Sequence, residues 1–385
     1  MLDGLRAVAA LAVLLTHVAF QTGEVQRGAL GAVLGRFDAG VAVFFVLSGF
    51  LLHRPYVRAR LTGGRWPSTR RYAVRRATRI LPAYWLALAA VAVTSSVPGG
   101  VLATHAWLGQ TYTGPLLGSF TQTWSLCIEI AFYAVLPVLA AAARRGEAAV
   151  LAGCVAVSYA YIATVHALDL PQRMLLWLPG HLDWFAVGMA VAVAAERLRA
   201  GVPGPAGRLL AGLAQWPGTC WAAAGALLWL VATPLAGPLT LAPTVGPTAL
   251  TKEAAYALVG LLLLVPTALG SASGGFGAVL SSPAARWLGR ISYGIFLWHL
   301  LLLRGVYEVT GWEPFTGRMW TVAVLTAAGA VVAAALSWAL VERPLLRLAH
   351  QRTSNHRERG DREQLGQRGL PAPGRGQAEH QPGQR

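Results

Sequence analysis

LDGLRAVAALAVLLTHVAF, residues 2–20, is an apolar run of helix length that nevertheless carries Asp3, Arg6 and His17. A helix has 3.6 residues per turn, so positions 11 residues apart differ by only about 20° around its axis. Arg6 and His17 therefore lie on one stripe, about 16 Å apart along the axis, and Asp3 shares that stripe with Arg6. Because ionisable groups inside a membrane helix are costly, this stripe indicates a functional site.

Apolar runs of this kind recur along the chain. Its 385 residues are 55% hydrophobic and only 12% charged, with a mean hydropathy of +0.51, which excludes a soluble globular protein and indicates an integral membrane protein. The net charge is +16, but the basic residues lie between the apolar runs, where membrane topology explains them and nucleic acid is not an expected partner. The three cysteines lie within apolar runs, without the spacing of disulfides or a metal site, so no metal is expected.

The apolar windows predict an all-α integral membrane protein, a bundle of about ten transmembrane helices. The windows are residues 5–22, 38–53, 80–97, 122–142, 148–166, 175–195, 209–232, 253–270, 287–304 and 319–341. Residues 1–345 form one membrane domain, and the polar residues 346–385 are expected to be a disordered basic cytoplasmic tail. The first run lacks a signal-peptide cleavage site and contains His17, so we interpret it as a retained span.

The arginines and lysines favour one orientation. With a cytoplasmic N-terminus and ten spans, 25 of the 32 Arg and Lys residues fall on the inner side. The positive-inside rule then predicts that both termini are cytoplasmic. Together with an Ala, Arg and Gly bias that is typical of bacteria, this indicates a multi-pass protein of the bacterial inner (cytoplasmic) membrane.

Four of the predicted spans carry ionisable side chains at a similar depth, about 8 to 12 Å below the outer surface. They are His17, Glu129, His181, Asp183 and His299. An imidazole such as His17 can act as a general base toward a hydroxyl group, and Glu129 is expected to orient it. For His181 and His299, two interpretations are equally good: packing between helices, or contact with the substrate or with the catalytic groups.

A basic segment, RYAVRRATRILPAYW, lies at the predicted inner surface at residues 71–85. Arg76 and Arg79 share a helix face and can bind a diphosphate bidentately, with Arg75 beside them. The alternative is that these arginines only set the topology. The distance from this segment to the His17 layer, about 15–20 Å of a 30 Å hydrocarbon core, suits the pantetheine arm of an acyl-CoA.

The second span contains GVAVFFVLSGFLL, residues 40–52. Ser48 and Gly49 are small residues at its middle, where they allow close approach of a backbone or of the donor. Ser48 is either a nucleophile or a packing residue, since no base adjoins it in the sequence.

These segments together resemble the acyltransferase 3 family of bacterial membrane proteins. The segments that match are R-x10-H (Arg6 to His17), FFVLSGF (44–50), RRATRILPAYW (75–85), TWSLCIEIAFY (123–133), DWFAVG (183–188), GRISYGIFLWH (289–299) and VERP (341–344). The resemblance implies a ten-helix fold that transfers acyl groups, commonly acetyl, from cytoplasmic acyl-CoA to a hydroxyl group. It implies acceptors such as polysaccharides, glycolipids or macrolides.

The resemblance also implies roles for individual residues. His17 is the expected catalytic residue with Arg6 beside it, Arg76 and Arg79 form the expected donor site, and Glu129 is the matching acidic position. Asp3, Asp183 and Tyr293 are further candidate second-sphere or substrate contacts, as are His181 and His299. A competing hypothesis is a proton-coupled transporter or flippase of a glycan or lipid-linked sugar, in which His17, Glu129 and Asp183 would relay protons.

Overall fold

The structure is a computed structural model that describes residues 1–270 and 274–347, and every regular element in these two ranges is a helix. Ten longer helices of this described part, α1 to α10, are α1 Leu2–Gln21, α2 Ala39–Thr62, α3 Thr69–Thr94, α4 Trp124–Ala142, α5 Glu147–Ala167, α6 Leu182–Arg199, α7 Pro217–Val231, α8 Pro247–Leu269, α9 Pro283–Thr310 and α10 Met319–Ser337. Short α-helices cover Gly28–Gly35, Gly99–Ala106, Gln110–Thr113, Pro205–Leu213 and Gly275–Ser281. The 3-10 turns are Glu24–Gln26, Gly118–Thr123, Gln172–Leu176, Leu178–His181 and Pro234–Ala236, and the π-helical turn Trp338–Glu342 follows α10. The predicted all-α fold class is confirmed.

Each predicted span overlaps one of the ten longer helices. In the described ranges, eight helical stretches are long and apolar enough to cross a bilayer, namely Leu2–Gln21, Gly28–Thr62, Thr69–Thr94, Gly118–Ala142, Glu147–Ala167, Leu178–Arg199, Pro247–Leu269 and Met319–Arg347. Helix α7 has only 15 residues, because the chain breaks into two helices before Pro217. Helix α9 is long enough to cross a bilayer, but Arg290, Tyr293 and His299 make it more polar than these eight stretches. The protein is therefore a multi-pass membrane bundle.

Helix α2 runs nine residues past the predicted end of its span at residue 53. Arg54 and Arg58 of this extension bind the buried carboxylate of Glu196, at 2.8 and 3.0 Å, and Arg60 forms an ion pair with Glu147. These carboxylates compensate the charges that end the apolar pattern, so the helix continues. It ends at Gly63, whose φ of +65° suits a left-handed C-terminal residue.

Helices α2 and α6 form the most extensive contact of the bundle. A Cβ on Gly188 would lie 1.9 Å from the Val46 carbonyl oxygen, and one on Gly49 would lie 2.2 Å from the Phe185 carbonyl oxygen. The two backbones can approach this closely only because both residues are glycine, as small residues at membrane helix crossings allow. Ser48, next to Gly49, is thereby fixed beside the core of the bundle.

Helix α1 packs against α9 at a second close crossing. A Cβ on Gly289 would lie 1.9 Å from the Asp3 carbonyl oxygen, so the first turn of α1 touches the first third of α9. Both helices then run toward the same face of the bundle, which brings His299 of α9 beside His17 of α1. We call the two faces of the bundle the Arg6 end and the His17 end. The predicted tail, residues 346–385, lies outside the described residues from 348 onward.

Candidate active site

Two cavities lie along α1, one toward each end. The arginine pocket, at the Arg6 end, is lined by Arg6, Ser48, Arg76, Arg79, Glu129 and Tyr293 among others. The histidine cavity, at the His17 end, has a volume of about 560 Å³ and is lined by His17, Asp38, Trp124, His181, Lys252 and Glu253 among others. Val41 and Phe296 line both cavities. The wall between the cavities is therefore only one side chain thick at these positions.

His17 lies in the histidine cavity with one ring nitrogen engaged. Its Nδ1 is 2.7 Å from the Val13 carbonyl oxygen and 3.3 Å from Nε2 of the fully buried His299. Because a carbonyl oxygen can only accept, the hydrogen-bond network assigns the proton to Nδ1 of His17. His299 donates its own Nδ1–H to the Phe296 carbonyl oxygen at 2.7 Å, which leaves its Nε2 as an acceptor. The Nε2 of His17 consequently carries a lone pair and can accept a proton.

Glu129 lies in the arginine pocket and not beside His17. Its Oε1 accepts hydrogen bonds from the Ser48 hydroxyl and the Tyr133 hydroxyl, both at 2.6 Å. The predicted contact between Glu129 and His17 is therefore not formed, and His299 occupies the place predicted for the carboxylate. The depth estimate was misleading because it locates a residue along its helix and does not specify the cavity that its side chain faces.

Arg6, Arg76 and Arg79 converge on the arginine pocket from α1 and α3. Arg6 is held by Asp3 at 3.4 Å, and Arg76 lies 5.7 Å from the centre of the Tyr133 ring. The buried Nε of Arg76 has no hydrogen-bond partner in the described part of the chain. The structure thus places Arg6 with the predicted donor-site arginines and away from the imidazole. Arg75 is exposed and is not part of the pocket lining.

His181 lines the histidine cavity but has no free ring nitrogen. Its Nδ1 is 2.9 Å from Glu253 Oε1, and its Nε2 is 3.0 Å from the Leu175 carbonyl oxygen. Asp183 is buried behind it, where its Oδ1 accepts a hydrogen bond from the Ser158 hydroxyl at 3.0 Å. Asp183 is not part of either cavity lining. The two engaged ring nitrogens of His181 agree with its packing interpretation, and Asp183 lies outside both cavities.

Ser48 and Tyr293 both line the arginine pocket. The Ser48 hydroxyl donates to Glu129, a partner 81 residues away in sequence, which is why the sequence offered no adjacent base. The Tyr293 hydroxyl donates to the Ile80 carbonyl oxygen at 3.0 Å and ties α9 to α3.

Sequence reasoning missed a charged group in the histidine cavity. Asp38 precedes α2, and its carboxylate binds Lys252 Nζ at 2.8 Å and the Tyr256 hydroxyl. We treated Asp38 as a span boundary, but the charged RFD segment at 36–38, directly before the apolar run, was a signal that could have identified it.

Comparison with known proteins gives one family. A family profile described as "Acyltransferase domain" matches residues 1–342. Similar proteins include Nodulation protein 10 of Rhizobium leguminosarum bv. viciae, 27% identical over 347 positions that cover 80% of this chain and 82% of that protein. Acyltransferase MdmB of Streptomyces mycarofaciens is 28% identical over 401 positions, 91% of this chain and 92% of that protein. Exopolysaccharide production protein ExoZ of Rhizobium meliloti (strain 1021) is 27% identical over 350 positions, which cover 88% of this chain and 96% of that protein. No solved structure matches significantly.

Proposed function

This chain belongs to the acyltransferase 3 family, and we propose that it is an O-acyltransferase that moves an acyl group, expected to be acetyl, from acyl-CoA to a hydroxyl of a carbohydrate or macrolide-type acceptor. One observation carries the proposal. A histidine with a free Nε2 faces a cavity that shares Val41 and Phe296 with a pocket of three arginines. A proton acceptor and an anion site on two sides of one thin wall suit an enzyme whose two substrates arrive from different faces.

The arginine pocket fits the diphosphate of a CoA thioester. The charged residues that line this pocket are three arginines, Arg6, Arg76 and Arg79, and one carboxylate, Glu129. Guanidinium groups bind phosphate oxygens through paired, charge-assisted hydrogen bonds. The unpartnered Nε of Arg76 offers such a donor without breaking an existing hydrogen bond. Ser48 lines this pocket together with Val41 and Phe296, so it is a proposed contact of the pantetheine arm.

His17 is the proposed general base. Its Nε2 removes the proton from the acceptor hydroxyl while the oxygen attacks the thioester carbonyl carbon. The tetrahedral intermediate then collapses, the C–S bond breaks, and the leaving CoA thiolate takes the proton from His17. During the reaction the Val13 carbonyl oxygen and His299 Nε2 accept the Nδ1–H of the imidazolium, as an orienting group does in a catalytic triad.

The topology proposed here has the Arg6 end in the cytoplasm of a bacterial inner membrane, with ten spans and both termini inside. The arginine excess of the segments at this end supports it, and cytoplasmic acyl-CoA would then reach the arginine pocket directly. The family profile, described as an acyltransferase domain, and the name of the similar acyltransferase MdmB favour transfer over the transport hypothesis.

The test is acyl transfer by the purified protein in lipid nanodiscs. The protein is incubated with radiolabelled acetyl-CoA and a panel of oligosaccharides and macrolides, and alkali-labile label on the acceptor is measured. We expect His17→Ala to lower the transfer rate by about 10²- to 10⁴-fold, the usual contribution of a general base. Donor affinity, measured by calorimetry, is expected to stay the same because His17 lies outside the arginine pocket.

The matched control is His166→Ala, which removes an exposed histidine near the end of α5 and is expected to leave the rate unchanged. A rate of His17→Ala within twofold of the wild type would remove His17 from the mechanism. A wild-type protein that neither binds acetyl-CoA nor labels any acceptor would favour transport.

A further inference from the structure

Asp38 occupies the position before α2 but does not cap that helix. An aspartate at this position commonly accepts hydrogen bonds from the first N–H groups of the helix, whereas the Asp38 side chain makes no such bond. Its carboxylate instead accepts from Lys252 Nζ at 2.8 Å and from the Tyr256 hydroxyl. Both partners belong to α8, so two contacts fix the carboxylate from across the cavity.

Asp38 shares a cavity with His17. Because both residues line the histidine cavity, the negative charge of Asp38 favours the protonated form of the His17 imidazole. The other titratable groups near His17 already have partners. His299 contacts the Nδ1 atom of His17. The remaining titratable groups of the cavity lining are Lys252, Glu253, Tyr256 and His181. Glu253 is bound to His181, and Lys252 and Tyr256 to Asp38. The cavity lining contains two carboxylates, and Asp38 is the one that is not already paired with an imidazole.

We propose that Asp38 is a positioning residue for the transfer reaction, whose carboxylate, fixed by Lys252 and Tyr256, provides the counter-charge when His17 takes up the acceptor proton. The proposal rests on the proposed function, in which His17 is the general base. A new positive charge inside a protein cavity is costly unless an opposite charge lies nearby. Lys252 has the opposite effect on His17, because it offsets part of the negative charge of Asp38.

This relation predicts opposite effects for two variants. In Asp38→Asn the ring of His17 loses its counter-charge, so the acidic limb of the pH profile of kcat/KM is expected to move about one pH unit lower. The plateau rate is expected to fall up to about tenfold, the fold-change that corresponds to one pH unit. In Lys252→Met the charge of Asp38 is no longer offset, and the same limb is expected to move to higher pH. Lys252→Arg restores the cation and is expected to return the limb toward its wild-type position.

A purely structural ion pair would give a different result. Asp38→Asn and Lys252→Met would then lower thermal stability alike and leave the acidic limb in place, and that outcome would overturn the proposal, as would shifts in the same direction. If Asp38→Asn does not fold, the comparison of Lys252→Met with Lys252→Arg decides the question by itself. A wild-type protein without transfer activity would instead refute the proposed function, so the two failures are distinguishable.

Discussion

The contact between His17 and His299 leads to a quantitative prediction. Replacing His299 with leucine removes one of the two acceptors of the His17 Nδ1–H, while the Val13 carbonyl oxygen remains at 2.7 Å. A hydrogen bond to a charged group contributes about 1.5–3 kcal/mol, and the His17–His299 distance of 3.3 Å favours the lower end of this range. At about 1.4 kcal/mol per tenfold change in rate, His299→Leu is expected to lower kcat about 10- to 30-fold.

Steady-state kinetics on the nanodisc-embedded protein measure this loss. The KM for acetyl-CoA is expected to stay constant, because His299 does not line the arginine pocket. His299→Gln is the matched variant, since its amide oxygen can accept the same Nδ1–H and should retain most of the activity. The leucine side chain fits a fully buried site, so thermal stability should change little. Equal losses in the leucine and glutamine variants at wild-type stability would refute the assignment of His299 as an acceptor.

Two further variants test the rest of the site and the fold. Arg76→Gln combined with Arg79→Gln is expected to raise the KM for acetyl-CoA about 100-fold, because each lost charge-assisted hydrogen bond weakens binding. The KM of the control, the exposed Arg75→Gln, should stay within twofold of the wild type. Equal effects in the double variant and the control would assign these arginines to topology alone. Gly188→Ala places a methyl group 1.9 Å from the Val46 carbonyl oxygen and is expected to cost about 1–3 kcal/mol of stability. Thermal denaturation measures this loss against Gly153→Ala on α5, where the added methyl group meets no other atom within 4 Å. Unchanged stability of Gly188→Ala would mean that α2 and α6 do not approach so closely.

Much of the fold followed from the apolar pattern, because a bilayer requires an uninterrupted apolar helix for each span. Each of the ten windows overlaps one of the longer helices, and eight helical stretches of the described residues are long and apolar enough to cross a bilayer. The pattern failed at the end of α2, where Arg54 and Arg58 are neutralised by Glu196, a residue far along the chain. A hydropathy window cannot detect such a compensation, because it reads only neighbouring residues.

The candidate site was predicted in part. The helical period predicted one shared face for Arg76 and Arg79, which both line the arginine pocket, and the R-x10-H spacing singled out Arg6 and His17, the two ionisable residues of α1 that line a cavity. The interpretation of the polar layer was less accurate. Glu129 was predicted at a depth similar to that of His17, but its carboxylate binds Ser48 and Tyr133.

The sequence alone determined that this chain is a helical membrane protein of the acyltransferase 3 family, because hydropathy, helical period and motif spacing are properties of short segments. Only the tertiary structure decided which charged groups meet. His17 and His299 are 282 residues apart in the chain and touch because α1 and α9 cross closely at Gly289. Such crossings depend on two distant surfaces fitting each other, and no segment carries that information by itself.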